Sequence, residues 1–215
     1  MDFAALTTTC TQIDIKKLFT GGFSTGHGYL REPNTIQTAS ALACIAIQSN
    51  QNDQHGGQSI AQFDYGLAPA VARSFIKNLK FILDIYGRPE QFIEEFTSGL
   101  YKEAFPDGSY ESFKSILYPE KIDALTVDLY QVFPSAVAAK VMIQALEKTD
   151  KDCYQAMEAL VHNLNTMHSR AGAQVPFTSI NFGTDTSPSG RLVSKMLLEA
   201  TMNGLGHHET PIFPI

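Results

Sequence analysis

Two long stretches of this chain carry no charged side chain at all, Pro33 to Asn52 and Ala171 to Thr184. Between them the segment from Lys77 to Lys151 holds 21 charged residues out of 16 + 22 = 38 in the whole chain. Charge-free segments rich in Ala, Ile, Thr and Phe are buried on several sides, because water gives them nothing to keep them at a surface. The pattern predicts outer segments that form an interior and a middle that forms a solvated helical layer. With 215 residues and 44% hydrophobic content, the chain is one ordinary domain or a large piece of a bigger one. Its net charge of −6, without basic runs, argues against a nucleic-acid surface, which needs clustered Lys and Arg; DNA is not an expected partner. No run of about 18 apolar residues occurs, so no membrane partner is expected. Met1-Asp2-Phe3-Ala4 lacks the basic start of a signal peptide, and the expected compartment is the cytoplasm. Cys10, Cys44 and Cys153 are odd in number and widely spaced, which is no disulfide framework and no zinc pattern.

Ala5 to Ile13, rich in β-branched residues, predicts a strand. Its alternation sets Leu6, Thr8, Cys10 and Gln12 on one face and Thr7, Thr9, Thr11 and Ile13 on the other. Asn34 to Gln51 predicts a buried helix with Asn34 as N-cap. A polar loop, His55 to Ser59, is expected before the next helix. Helices are expected from Phe63 to about His168, with breaks at Gly87-Arg88-Pro89 and Pro106-Asp107-Gly108. Gln174 to Gly183 reads as extended. Ser187 and Pro188 open a helix, Gly204 and Gly206 stop it, and Pro211 to Ile215 begins a further apolar extended segment. Strand, helix and strand in that order form a βαβ unit with parallel strands, so the fold class is α/β. Ending inside such a strand suggests a fragment.

On pattern alone a cysteine in a strand is a small core residue, although Thr8 and Gln12 beside Cys10 favour the wall of a cavity. Cys44 belongs to a core helix, and Cys153, after Lys151 and Asp152, is expected to be partly buried. His162 and His168 are six apart, which misses the spacing that unites two ligands on a helix, and no metal site is expected. Gly21 to Gly28 satisfies neither nucleotide fingerprint. His55 to Ser59 could bind an anion at a helix start, but an ordinary turn explains it better. Asn165 to Phe177 gathers amide, hydroxyl, imidazole and guanidinium groups where a helix meets a buried strand, a position where parallel α/β folds bind ligands.

That run, with its continuation to Ser187 and the closing stretch Glu209 to Ile215, resembles the anaerobic (class III) ribonucleoside-triphosphate reductases. So do Leu6 to Asp14 around Cys10, Gly26-His27-Gly28, Arg31-Glu32-Pro33, and Gln51 to Ile60. The resemblance runs essentially end to end. Gly206-His207-His208-Glu209 departs from it where a Gly/Asn turn is expected.

The resemblance implies part of a ten-stranded α/β barrel, with residues 1–215 as the N-terminal part of the catalytic barrel domain and a largely helical middle. It implies a glycyl-radical oxidoreductase that converts ribonucleoside triphosphates to deoxyribonucleotides, with formate or a thiol as reductant and a radical-SAM activating enzyme as partner. The glycyl radical and a zinc site belong to the full-length parent; their motifs do not occur in this sequence, and the piece alone is expected to be inactive. Cys10 matches the first-strand cysteine that donates hydrogen to the sugar. Asn165, His168, Ser169 and Gln174 are expected near the substrate. Glu32, Gln48 and Lys77 fall in the region that binds dNTP or ATP effectors at the interface of a homodimer. A different glycyl-radical barrel and a non-catalytic nucleotide-binding fragment stay open as alternatives.

Overall fold

A computed structural model describes residues 10–54, 56–168 and 174–214. Strand β1 (Thr11–Asp14) leads into the short helix α1 (Ile15–Phe19) and a hairpin of β2 (Phe23–Ser24) and β3 (Tyr29–Leu30). Helix α2 (Ile36–Asp53), strand β4 (Gln58–Ala61) and helix α3 (Phe63–Ile85) follow. The charged middle forms α4 (Glu90–Ala104), α5 (Pro119–Asp128), a 3₁₀ turn (Leu129–Gln131) and the long α6 (Ser135–Thr166). Strand β5 (Thr178–Ile180) and helix α7 (Pro188–Asn203) complete the described elements.

The described strands of the main sheet lie in the order β1-β4-β5, both pairs parallel. The pairing sets Gln12, Ser59 and Ser179 side by side in one row, and Ile13, Ile60 and Ile180 in the next. Successive side chains of a strand point to opposite faces, so these rows occupy opposite sides of the sheet. The isoleucine row joins the core made with α2, α3, α6 and α7, whereas Gln12 is exposed and both serines are half-buried. Among the described residues the helices thus cover one face and leave the other bare. A second hydrophobic cluster lies between the later part of α3, α4, α5 and the first half of α6. That cluster lies beneath the charged middle, whose polar residues face outward as the charge distribution predicts.

Local chemistry explains the boundaries. Helix α2 starts after Thr35, not Asn34, because the extended Thr35 puts its hydroxyl where it accepts from Thr38 N at 3.2 Å. Ser187 caps α7 by accepting from Gly190 N at 3.2 Å, with Pro188 at the first helical position. Gly66 lets α1 lie against α3, since a Cβ there would sit 2.3 Å from Ile15 Cγ1. The loop after α7 turns at Gly204 (φ 75°) and His208 (φ 62°), so the His-His sequence still makes a turn, with His208 in the left-handed region.

Three further expectations are corrected. Gln58 and Ser59 are not loop but the start of β4; Gln58 is 1% exposed, so its polarity hides an inward-facing strand position. Residues 211–214 form no strand, and the parallel pairs run through β1, β4 and β5 instead. Asn165 holds that segment: its Oδ1 accepts from Ile212 N (2.8 Å) and Phe213 N (3.1 Å), and its Nδ2 donates to Phe213 O (2.7 Å). Cys153 is fully buried, because α6 turns it toward the core while Lys151 stays outside. No helix among the described residues is long and apolar enough to cross a membrane.

Candidate active site

The bare face of the sheet carries a hollow of about 480 Å³. Its walls include Cys10, Gln12, Gly57, Ser59, Phe177 and Ser179, and no charged residue among the described residues lines it. Thr11 N donates to Gly57 O at 3.2 Å and Gln58 N to Phe177 O at 2.7 Å. These bonds extend the pairing so that Cys10, Gly57 and Phe177 sit beside one another at the start of the strands. The strand alternation read from sequence holds here: Thr11 and Ile13 turn toward the helices, Cys10 and Gln12 away from them. Gly57 keeps the floor low between Cys10 and Phe177.

Of the three thiols, Cys10 alone is exposed. Burial pushes the Cys44 thiol up to about 11, against a smaller lowering by a hydrogen bond with Asn163. Burial likewise raises Cys153, reinforced by the nearby Asp150 and Asp152 carboxylates. Both are inert core thiols, since the thiolate is the reactive form and burial suppresses it.

A network on the helix side ties the strands beneath this hollow to α2. Thr11 Oγ1 donates to Gln54 Oε1, and Asn50 Nδ2 donates to Gln58 Oε1. Asp64, fully buried at the start of α3, accepts from Gly183 N (2.8 Å) and Asp185 N (2.9 Å) and so fixes the turn after β5. Burying a carboxylate is tolerable only with such donors.

The residues expected near a substrate do not all converge. His168 and Gln174 are exposed on either side of the joint between α6 and β5, and Ser169 lies outside the described residues. The Asn165 amide is engaged by Val161, Ile212 and Phe213. The three effector candidates separate as well. Glu32 Oε1 pairs with Arg73 Nη2 at 2.5 Å, and its Oε2 accepts from Gly21 N at 2.9 Å. Lys77 borders a different hollow of about 450 Å³ with Thr35, Lys148 and Asp152. Gln48 donates to the His168 carbonyl at 2.9 Å, toward the other end of α2. It lies ~18 Å along that helix from Ile36 at ~1.5 Å per residue.

Sequence reasoning missed Ser59, Ser179 and Asn181. The alternation in Gln58–Ala61 and Thr178–Ile180 marks the two serines as sharing one side of their strands, but only the register sets them beside Cys10. Among the described residues no group of three or more His, Cys, Asp or Glu side chains could hold a metal.

The fold is of the α/β class, a parallel sheet covered by helices on one face among the described residues, with the exposed Cys10 thiol on the other. The family profile described as anaerobic ribonucleoside-triphosphate reductase matches residues 1–215, and the chain belongs to that family. It is similar to the anaerobic ribonucleoside-triphosphate reductase of Salmonella typhimurium, with 28% identity over 95% of this chain and 22% of that protein. The Escherichia coli protein of that name gives 28% identity over 95% of this chain and 22% of its own length. The Enterobacteria phage T4 protein of that name gives 27% over 96% of this chain and 26% of its length. The chain thus spans about a quarter of the curated relatives it matches.

Proposed function

We propose that this chain supplies the N-terminal part of a ten-stranded catalytic barrel that reduces ribonucleoside triphosphates to deoxyribonucleoside triphosphates, with Cys10 as its hydrogen donor. The observation that carries this reading is the position of the Cys10 thiol, exposed on the bare face of a parallel sheet while Cys44 and Cys153 are buried. In the closed barrel that bare face is the interior. The Cys10 S–H bond breaks and a C–H bond forms at the sugar 2′ carbon from which the hydroxyl leaves as water. Each turnover then requires the sulfur to be re-reduced, by formate or by a thiol system. Gly57 gives the sugar room to approach the strands, and the absence of charge in the hollow favours transfer of a neutral hydrogen atom.

The whole protein would act in the cytoplasm as a homodimer with nucleotide effectors and an activating enzyme. His168 and Gln174 face the joint where the nucleotide would extend beyond the sugar, together with Ser169. Asn165 serves the site by holding residues 212–213 beside Phe177, whose ring meets Phe213 edge-on at 4.9 Å. Glu32, Gln48 and Lys77 border the helical surface assigned to the effector.

The test is Cys10→Ser in the full-length enzyme. Deoxynucleotide formation should fall to background while glycyl-radical formation, followed by electron paramagnetic resonance, stays normal. Unchanged turnover would refute the reading.

A further inference from the structure

The register across the three strands places side chains that the roles above leave unused. Gln12, Ser59 and Ser179 form one straight row on the bare face, next to the row that contains Cys10. Neighbouring strands are ~4.8 Å apart, and alternate residues on one strand are ~6.6 Å apart. Gln12 thus lies ~6.6 Å and Ser59 ~8 Å from Cys10, within hydrogen-bond reach of a sugar ring that touches its sulfur, whereas Ser179, one strand further, lies ~12 Å away. None of the three side chains makes a hydrogen bond to another described residue, whereas Asn50, Gln58 and Asn165 all do. Each serine hydroxyl offers one donor and two lone pairs, and the Gln12 amide offers two donors and an acceptor. A patch of neutral, two-way hydrogen-bonding groups suits a ligand of the same kind. Vicinal hydroxyls on a pentose are such a ligand; a phosphate would call for cations, and none lines the hollow among the described residues.

We infer that Gln12 and Ser59 are the residues that bind the ribose hydroxyls and discriminate ribonucleotide from deoxyribonucleotide at Cys10. This rests on the proposed reductase reading and adds to it the specificity of the sugar subsite. The discrimination follows from an asymmetry. A site built to pair with a hydroxyl is left with unpaired groups when the hydroxyl is missing, so the analogue binds more weakly. Product, which lacks the 2′ hydroxyl, is thereby released more readily than substrate.

The experiment uses unactivated full-length enzyme, so no turnover is needed. Alkylation of Cys10 by iodoacetamide is followed by peptide mass spectrometry against increasing ribonucleoside triphosphate or its 2′-deoxy counterpart. Protection of Cys10 reports occupancy of this site alone, even where nucleotides also bind elsewhere. In the unaltered enzyme the ribonucleotide should half-protect at a concentration at least about 3-fold below its deoxy counterpart. In Ser59→Ala and Gln12→Met the ribonucleotide should weaken about 3- to 10-fold, while the deoxynucleotide changes little and the preference shrinks. Both positions face away from the core, and any variant that retains the unaltered melting temperature decides the matter. Protection with an undiminished preference in those variants overturns the inference and leaves the role of Cys10 intact. Absence of protection by any nucleotide in the unaltered enzyme overturns both.

Discussion

Replacing Glu32 should unfold the protein more readily than its place on a surface-near segment suggests. Its partner Arg73 is 6% exposed at the side chain and Glu32 is 21% exposed, so the pair lies largely out of water. Arg73 also donates to Pro33 O at 2.8 Å and to Tyr101 Oη at 3.1 Å, and its guanidinium lies 4.7 Å from the Phe105 ring and 5.2 Å from that of Tyr110. These contacts tie the segment that precedes α2 to the body of the molecule. Glu32→Ala leaves the cation enclosed without its counter-charge and leaves Gly21 N without its acceptor. Removing one member of a buried pair costs ~3–5 kcal/mol; the partial access of water to Glu32 places this case near ~3 kcal/mol. Arg73→Met removes the charge but keeps much of the stem that fills the aromatic pocket. The double variant should therefore be less unstable than the sum of the two, with a coupling of ~1–3 kcal/mol. Urea unfolding of the four proteins, with the slope held constant, measures both quantities. A cost for Glu32→Ala below ~1 kcal/mol with no coupling would mark an ordinary surface pair and refute the reasoning. Weakened effector binding at unchanged stability would instead assign Glu32 to the nucleotide.

Asn165→Ala should release residues 212–213, at a cost of ~2–3 kcal/mol for three lost hydrogen bonds; faster amide exchange at Ile212 and Phe213, at otherwise unchanged protection, checks this. Gly190→Ala should destabilise by at least ~2 kcal/mol in thermal unfolding, because the new Cβ would sit 2.3 Å from the Asp185 carboxylate, which accepts from Ser187 N at 2.8 Å. Burial raises the Cys44 thiol from 9.0 to about 11, so the folded protein retains its proton where the unfolded chain loses it. That contribution is complete below pH 9 and is lost as pH rises through about 11; Cys44→Ala should flatten the alkaline arm of a stability–pH curve.

The helical part of this fold was legible because its punctuation is chemical. Gly87-Arg88-Pro89 and Pro106-Asp107-Gly108 break helices for local reasons, and Ser187-Pro188 opens one for local reasons, so the boundaries of α3, α4 and α7 follow closely. Strand β4 was not legible, since Gln58 buries an amide whose partners, Asn50 on the preceding helix and the Gly56 carbonyl, are fixed only by the fold. The inward turn of Cys153 depends on where α6 lies against α2 and α7, which no window of sequence contains. The face of Cys10 followed from alternation. Its neighbours Ser59 and Ser179 did not, because strand register is set by contacts between segments far apart in the chain. The Asn165 amide stood out by composition, but its hydrogen bonds to residues 212–213 follow only from the fold.

Among the described residues helices touch these three strands on one side only, and the exposed Cys10 thiol belongs to the other. Substitutions among α2, α3, α6 and α7 can therefore accumulate, provided the isoleucine row stays covered, without altering the far face. A sequence can drift far in its outer layer while that face stays put, which suits relatives identical to this chain at little more than a quarter of the aligned positions.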